Sequence, residues 1–177
     1  MNLFRARYNW LRKRFLERQL AKIAVLFQKG VAGDSEAVKT AYELLTRLRQ
    51  LFPEDHLLAA YYGSTLTLLG RDAVDPLERL EYVRQGLKVL DEAVTNDGDN
   101  VMIRTLRGYV CYRLPEVFFH RTANSVTDFS YLIARHEQNP ELLSAEFYQQ
   151  VKEDLAAAKK TLERIEKCRE QVKREGV

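Results

Sequence analysis

Cysteine is scarce in this chain of 177 residues, which contains only Cys111 and Cys168. The two lie far apart, each inside a helical pattern, so they cannot form a disulfide framework or a four-ligand zinc site. The three histidines, His56, His120 and His136, are equally scattered. None has the HxxxH or HExxH spacing that places two metal ligands on one helical face. We therefore expect two reduced thiols, no metal and no cofactor.

Long uncharged segments are also absent. The longest stretch without Asp, Glu, Lys or Arg runs from His56 to Gly70, which is shorter than the roughly 18 to 20 apolar residues that a membrane span requires. Arginine and lysine interrupt every apolar run near the N-terminus, so that segment does not read as a secretory signal. The predicted location is the cytoplasm, and the chain is long enough to bury one core.

Proline and glycine are few, and they divide the chain into helical segments in which apolar residues recur every three or four positions. The predicted helices cover residues 3–28, 35–51, a segment around 59–70, 76–95, 101–114, 116–137 and 141–174. No segment is a convincing strand, because each β-prone stretch lies inside a helical pattern. The sequence therefore predicts a single all-α domain of about seven helices, over residues 1–177.

Several of these helices contain an interior glycine, including Gly63 in "AAYYGSTLTLLG" and Gly108 in "TLRGYVCY". Glycine costs a helix interior about 1 kcal/mol relative to alanine, so its presence indicates another backbone packed close by. We expect Gly63 and Gly108 to lie where one helix crosses another, with Gly86 as the small residue on the facing helix.

These positions resemble the tetratricopeptide repeat family, whose units of about 34 residues are helical hairpins. The second half of that pattern is matched by Ala41, Leu45, Leu48 and Pro53, and again by Gly86, Leu90, Ala93 and Gly98. Tyr62, Gly63 and Leu66 match the first half, as do Arg107, Gly108 and Cys111. The likeness covers residues 37–111, with Leu48 where the family usually has alanine. It implies stacked antiparallel hairpins over 35–137, after a basic amphipathic helix over 1–30 and before a long capping helix over 141–175.

The resemblance also implies a function, since repeats of this family commonly bind peptides in a groove lined by their first helices. The residues at those positions would suit an apolar or extended segment: Tyr61, Ser64, Thr65, Thr105 and Tyr109. The first expectation is therefore a non-catalytic scaffold that binds a protein or peptide partner of unknown identity. The same surface could equally be covered by the terminal helices of the chain itself.

A second candidate is the N-terminal segment, where residues 1–22 hold seven Lys or Arg against Glu17 alone. Aromatic residues, among them Trp10 and Phe15, are interleaved with the basic surface formed by Arg5, Arg7, Arg12, Lys13, Arg14 and Arg18. Such a helix can bind an anionic membrane surface or the phosphates of a nucleic acid. The plainer interpretation is the solvated face of a first bundle helix.

Catalysis is not expected. The densest polar group is "RTLRGYVCYRLPEVFFHR" over residues 104–121, and an enzyme would need Glu116 and His120 together in a deep pocket. Otherwise its arginines are solvated or pair with nearby aspartates, namely Asp91, Asp97, Asp99 and Asp128. The last helix carries an apolar seam of Phe147, Val151, Leu155, Ala158, Leu162, Ile165 and Val172. That seam indicates either a cap on the hairpins or self-association.

Overall fold

A computed structural model of the protein describes residues 3–175, with the side chains of residues 10–168, 170 and 171. The helices are α1 (Leu3–Val31), α2 (Ser35–Leu51), α3 (His56–Asp72), α4 (Pro76–Asn96), α5 (Val101–Arg113), α6 (Glu116–Phe119), α7 (Thr122–Gln138) and α8 (Ala145–Glu175). This confirms the all-α class, and the described range contains no strand. Within the same range, no helix is long and apolar enough to cross a membrane.

Side-chain caps begin several of these helices. The caps are Asp34 on the N–H of Ala37, Asp55 on Leu58, Asp75 on Leu77 and Glu78, and Asn100 on Met102 and Ile103. A carboxylate or amide oxygen at this position satisfies N–H groups that have no partner inside the helix. The first turn of α1 contains no acidic residue, and the same is true of α3, α5 and α7.

The predicted helix over 116–137 is wrong in one respect, since it is divided into α6 and α7. His120 lies between them in the left-handed conformation, with a φ of 53°. The carboxylate of Glu116 then accepts a hydrogen bond of 2.8 Å from the backbone N–H of Thr122, which starts α7. The last helix also begins later than predicted, at Ala145, where the hydroxyl of Ser144 accepts from the N–H of Phe147.

The helices form two compact units, Met1–Leu90 and Asp91–Val177, with the boundary inside α4. The single domain stays a prediction. In the first unit α1, α2 and α3 pack together around fully buried side chains that include Ile23, Val38, Leu45, Leu58 and Leu66. The guanidinium of Arg71 in α3 donates to the carbonyl of Gly30 at 2.9 Å, which ties the end of α1 to this core.

In the second unit, α7 lies between α5 and α8. Phe129, Leu132 and Val151 form its buried cluster, and half-buried residues of the same three helices pack against it, including Tyr109, Tyr112, Phe147 and Leu155. The inner faces of α5, α7 and α8 therefore share one core.

Backbone contact between α3 and α4 explains the interior glycines of the first unit. A Cβ on Gly63 would lie 2.8 Å from the carbonyl oxygen of Gly86, and a Cβ on Gly86 would lie 2.5 Å from the carbonyl oxygen of Gly63. In the second unit, a Cβ on Gly108 would lie 3.0 Å from the ring of Phe129 and 3.1 Å from the Cβ of Asp128. The expected crossings at these glycines are thus present.

Replacing Gly86 by leucine should overpack this crossing, because the obstructing atom is backbone oxygen and cannot rotate away. We expect Gly86→Leu to lower the free energy of unfolding by about 3 kcal/mol, measured by urea denaturation. Gln85→Leu is the matched control, since Gln85 is the exposed neighbour on the same helix. Equal midpoints for the two variants would contradict the close approach.

Candidate functional site

The first predicted binding surface, on α3, is covered by the chain itself. Tyr61 is 6% exposed, and Ser64 and Thr65 are fully buried. The ring of Phe27 in α1 meets the ring of Tyr61 edge-on at 5.6 Å between centroids. The hydroxyl of Thr65 donates to the carbonyl of Tyr61 in its own helix. These three side chains therefore pack inside the first unit and do not line an open groove.

The corresponding surface on α5 is partly covered by α8. Tyr109 is half-buried, its ring lies 6.0 Å from that of Phe147, and its hydroxyl donates to Asp154 at 3.0 Å. Burial, together with the adjacent Asp154 carboxylate, raises the pKa of Tyr109. Thr105 is half-buried and donates to the carbonyl of Val101. Of the five predicted partner-binding residues, these two are half-buried and the other three are buried.

The arginine-rich hairpin uses its charges internally. Asp128 is fully buried, and its two oxygens accept from Nε and Nη2 of Arg107, both at 2.8 Å. Arg104 donates to the same carboxylate at 2.9 Å. Asp91 accepts from Arg107 at 3.3 Å and from Arg121 at 2.8 Å. Bidentate ion pairs of this kind hold helices together. The charged groups of this hairpin therefore bind one another.

Glu116 and His120 lie close together but share no hydrogen bond. Nδ1 of His120 lies 3.7 Å from Oε1 of Glu116, too far for a hydrogen bond, and the His120 side chain is 64% exposed. Burial alone would raise the pKa of Glu116, but hydrogen bonds from the backbone N–H and the hydroxyl of Thr122 outweigh it, so that this pKa is lowered. The carboxylate therefore acts at the start of α7.

Part of the apolar seam of α8 also packs inside the second unit. Val151 and Ala158 are buried, and Phe147 and Leu155 pack against the core formed with α7. Leu162 and Ile165 are half-buried, and the side chain of Val172 lies outside the described residues. Self-association through this helix stays a prediction, and the seam between Phe147 and Ala158 is not open to it.

Helix α1 carries two separate apolar stripes. Leu11 and Leu20 are nine residues apart, which places them about 180° from each other around a helix. Leu20 is half-buried and Ile23 is fully buried, whereas Leu11 is 52% exposed. Leu11 and the exposed Phe15 therefore face away from the core. The inward stripe alone is enough to hold α1 against α2 and α3.

The outward stripe forms a surface that we name the α1 patch: Trp10, Leu11, Arg14, Phe15 and Arg18. These five side chains line a shallow apolar depression. The guanidinium of Arg14 lies over the ring of Trp10 at 5.2 Å. Lys22 and Val25 are exposed and continue the same face toward the C-terminal end of α1.

The loop after α2 supports the edge of the α1 patch. The ring of Phe15 stacks on that of Phe52 at 6.3 Å, and the guanidinium of Arg12 lies 4.8 Å from the centre of the same Phe52 ring. Arg12 also donates to the carbonyl of Leu51 at 3.0 Å. Leu51 is exposed, so it adds apolar surface beside the patch.

The six predicted basic residues are therefore not equivalent. Arg12 holds the loop, while Lys13, Arg14 and Arg18 are exposed. Among the described side chains, no ion pair involves Arg14, Arg18 or Lys22, although Glu17 lies on the same helix. Arg5 and Arg7 belong to α1, but their side chains lie outside the described residues. Val25 and Leu51 were missed, because the exposure of an apolar residue is not visible in a helical pattern. Lys22 was counted among the basic residues of the segment but was not placed on the predicted basic surface.

Two other apolar pairs are exposed, Val74 with Leu77 and Val117 with Phe118. The first pair lies near acidic residues, with Val74 between α3 and α4 and Leu77 in the first turn of α4. The second lies on α6, a helix of four residues. Neither combines apolar side chains with several unpaired charges of one sign. The α1 patch does, which makes it the candidate site.

The positions that resemble tetratricopeptide repeats are packing positions. Ala41, Leu45 and Leu48 are buried in the first unit, as is Leu90, and Ala93 is buried in the second. No family model matches the chain, and neither the curated proteins nor the solved structures contain a match to it.

Loss of the Asp128 charge should destabilise the second unit, because the buried guanidinium of Arg107 would keep its charge without its closest partner. We expect Asp128→Asn to lower the free energy of unfolding by about 3 kcal/mol or more, measured by urea denaturation. The control is Glu92→Gln, the same change at an exposed residue of α4. If both variants unfold alike, the ion-pair network does not stabilise the fold.

The two thiols should react very differently. Cys111 is fully buried, and this burial raises its pKa to about 12, whereas Cys168 is exposed. Because the thiolate is the reacting form, a disulfide reagent at neutral pH should titrate one thiol in the folded protein and two after denaturation. Cys168→Ser should abolish the fast reaction. Rapid labelling of two thiols in the folded chain would show that Cys111 is accessible.

Proposed function

We propose that this protein is a non-catalytic docking module that binds an anionic partner through the α1 patch. The observation that carries this proposal is the exposure of Trp10, Leu11 and Phe15 beside basic side chains on a helix whose other side is buried. Trp10 is 54% exposed and Phe15 is 45% exposed. Large aromatic residues normally lie inside a fold, so a cluster of them on the surface is a mark of an interaction site.

Electrostatics defines the partner as an anion. Arg14, Arg18 and Lys22 follow one another at four-residue spacing and have no carboxylate partner among the described side chains. Their charges therefore remain available to phosphate, sulfate or carboxylate groups. Binding should weaken steeply as salt is added, because the association is favoured by the release of counterions from the partner and added salt reduces that gain.

The remaining chemistry of the chain supports a non-catalytic role. The arginines of the hairpin over 104–121 are engaged with Asp91 and Asp128, and the Cys111 thiol is buried and protonated at neutral pH. A tetratricopeptide-like arrangement belongs to this proposal as well. Its support is the set of buried small and leucine residues at the matching positions, together with the Gly63–Gly86 contact. In it, α1 takes the place of a bound peptide against Tyr61.

Retention on immobilised heparin tests the proposal with a generic polyanion. The docking variant carries Arg14→Glu, Arg18→Glu and Lys22→Glu. We expect the wild-type chain to bind at low salt and to elute as salt is raised, and the docking variant to pass without retention. Exposed side chains carry all three substitutions, so the melting temperature should stay close to that of the wild type.

The control variant separates location from net charge. It carries Arg47→Glu, Arg84→Glu and Lys88→Glu, which reverse three exposed basic residues of α2 and α4 and change the net charge by the same amount. We expect this variant to keep a large part of its retention. If the two variants lose the same amount of retention, heparin binding depends only on the net charge of the protein. The proposal that the α1 patch is the binding site would then be wrong.

A further inference from the structure

We infer that the anionic partner of the α1 patch is a lipid membrane, with α1 lying in the plane of its headgroups. This inference rests on the proposed function and names its partner. It follows from the combination of apolar and basic side chains on the outward face of α1, and from the contacts that the rings of Trp10 and Phe15 already make within the chain.

The outward face is long enough for a surface rather than for a small ligand. From Trp10 to Val25 it extends over fifteen helical steps, about 22 Å. Both end residues are more than half exposed. The opposite side of the same helix is the one that packs on α2 and α3, so the outward face can lie flat on a bilayer without disturbing the core.

The composition of the face matches the interfacial layer of a bilayer. Trp10, Leu11 and Phe15 offer apolar surface to the acyl chains, while Arg14 and Arg18 have stems long enough to place their charges at the level of lipid phosphates. Leu51 adds a further exposed apolar side chain at the edge of the patch. Aliphatic side chains such as Leu11 and Leu51 gain nothing from contact with a phosphate backbone alone.

Nucleic acid is a poorer fit, because single strands bind by stacking bases on free aromatic faces. One face of Phe15 is already stacked on Phe52, and one face of Trp10 is covered by the guanidinium of Arg14, so fewer ring faces remain for bases. A second copy of the chain is also disfavoured, since two α1 patches would bring arginines of like charge together. Acyl chains need no free ring face, only exposed apolar atoms.

Trp10 is the one tryptophan of the chain, so its fluorescence reports on the patch directly. The full chain is titrated with vesicles of phosphatidylcholine mixed with phosphatidylglycerol, and in parallel with vesicles of phosphatidylcholine alone. With the mixed vesicles we expect the emission to move to shorter wavelength and acrylamide quenching to fall. With neutral vesicles the spectrum should hardly change.

Two variants dissect the contact. The docking variant, Arg14→Glu, Arg18→Glu and Lys22→Glu, should bind mixed vesicles about 100-fold more weakly, since each lost basic contact weakens binding roughly fivefold. A double variant, Leu11→Ser and Phe15→Ser, should lose at least tenfold in vesicle binding and keep its heparin retention. Thermal melts followed by circular dichroism should show that both variants remain folded.

Matched controls accompany them. The exposed pair Val74→Ser and Leu77→Ser removes apolar surface elsewhere in the first unit, and the triple variant of Arg47, Arg84 and Lys88 removes charge elsewhere. Both should bind mixed vesicles within a few-fold of the wild type. If either control loses as much as its partner variant, the membrane contact does not lie on α1, and the inference fails.

The outcomes separate the inference from the function beneath it. A Trp10 response to mixed vesicles that requires both Arg14 and Leu11 supports the membrane. The membrane inference is wrong if the protein is retained on heparin but does not respond to vesicles, or if Trp10 responds to a single-stranded oligonucleotide alone. In either case the proposed docking of an anionic partner still stands. No response to vesicles, oligonucleotide or heparin overturns both.

Discussion

The first unit depends on the close approach of α3 and α4, which only glycine at two facing positions allows. With Gly63 and Gly86 in backbone contact, and Gly70 close to the backbone of Arg79, the two helices stay together over about two turns. This close approach determines which sides of α3 are left to contact α1 and α2. Tyr62 faces α2 through its stack on Tyr42, and Tyr61 faces α1 through Phe27. The side of α3 that a peptide would use is consequently occupied by α1, and the outer surface of α1 becomes the surface of the unit.

The second unit depends instead on ion pairs, because three arginines lie near the packing of α5 on α7. A buried carboxylate at Asp128 neutralises two of them, and Asp91 connects Arg107 to Arg121. Charges arranged in this way contribute mainly by avoiding an unpaired buried ion, so their value lies in specifying one packing of α5 on α7. Polar density along a sequence is thus a poor guide to chemistry, because the groups satisfy one another.

Much of the fold could be predicted from the sequence. The all-α class, the bounds of α2 and the caps at Asp34 and Asp75 follow from local rules, and the glycine crossings follow from the cost of an interior glycine. The break at His120 could not be predicted, since no proline or glycine marks it and the stabilising contact comes from Glu116, six residues before Thr122. The candidate site was predictable only in part. Its basic residues are obvious in the sequence, but whether Leu11 and Phe15 face the core depends on where α2 and α3 end.

Helix α1 begins without an acidic residue in its first turn, and arginines follow within its opening turns. Positive charge at this end opposes the dipole of the helix, so the unbound protein keeps α1 in an unfavourable electrostatic state. An anion bound beside these turns reverses that repulsion. Under the proposed function, folding of α1 and occupancy of its outer face are linked equilibria, so the stability of the helix would rise with the amount of anionic partner present.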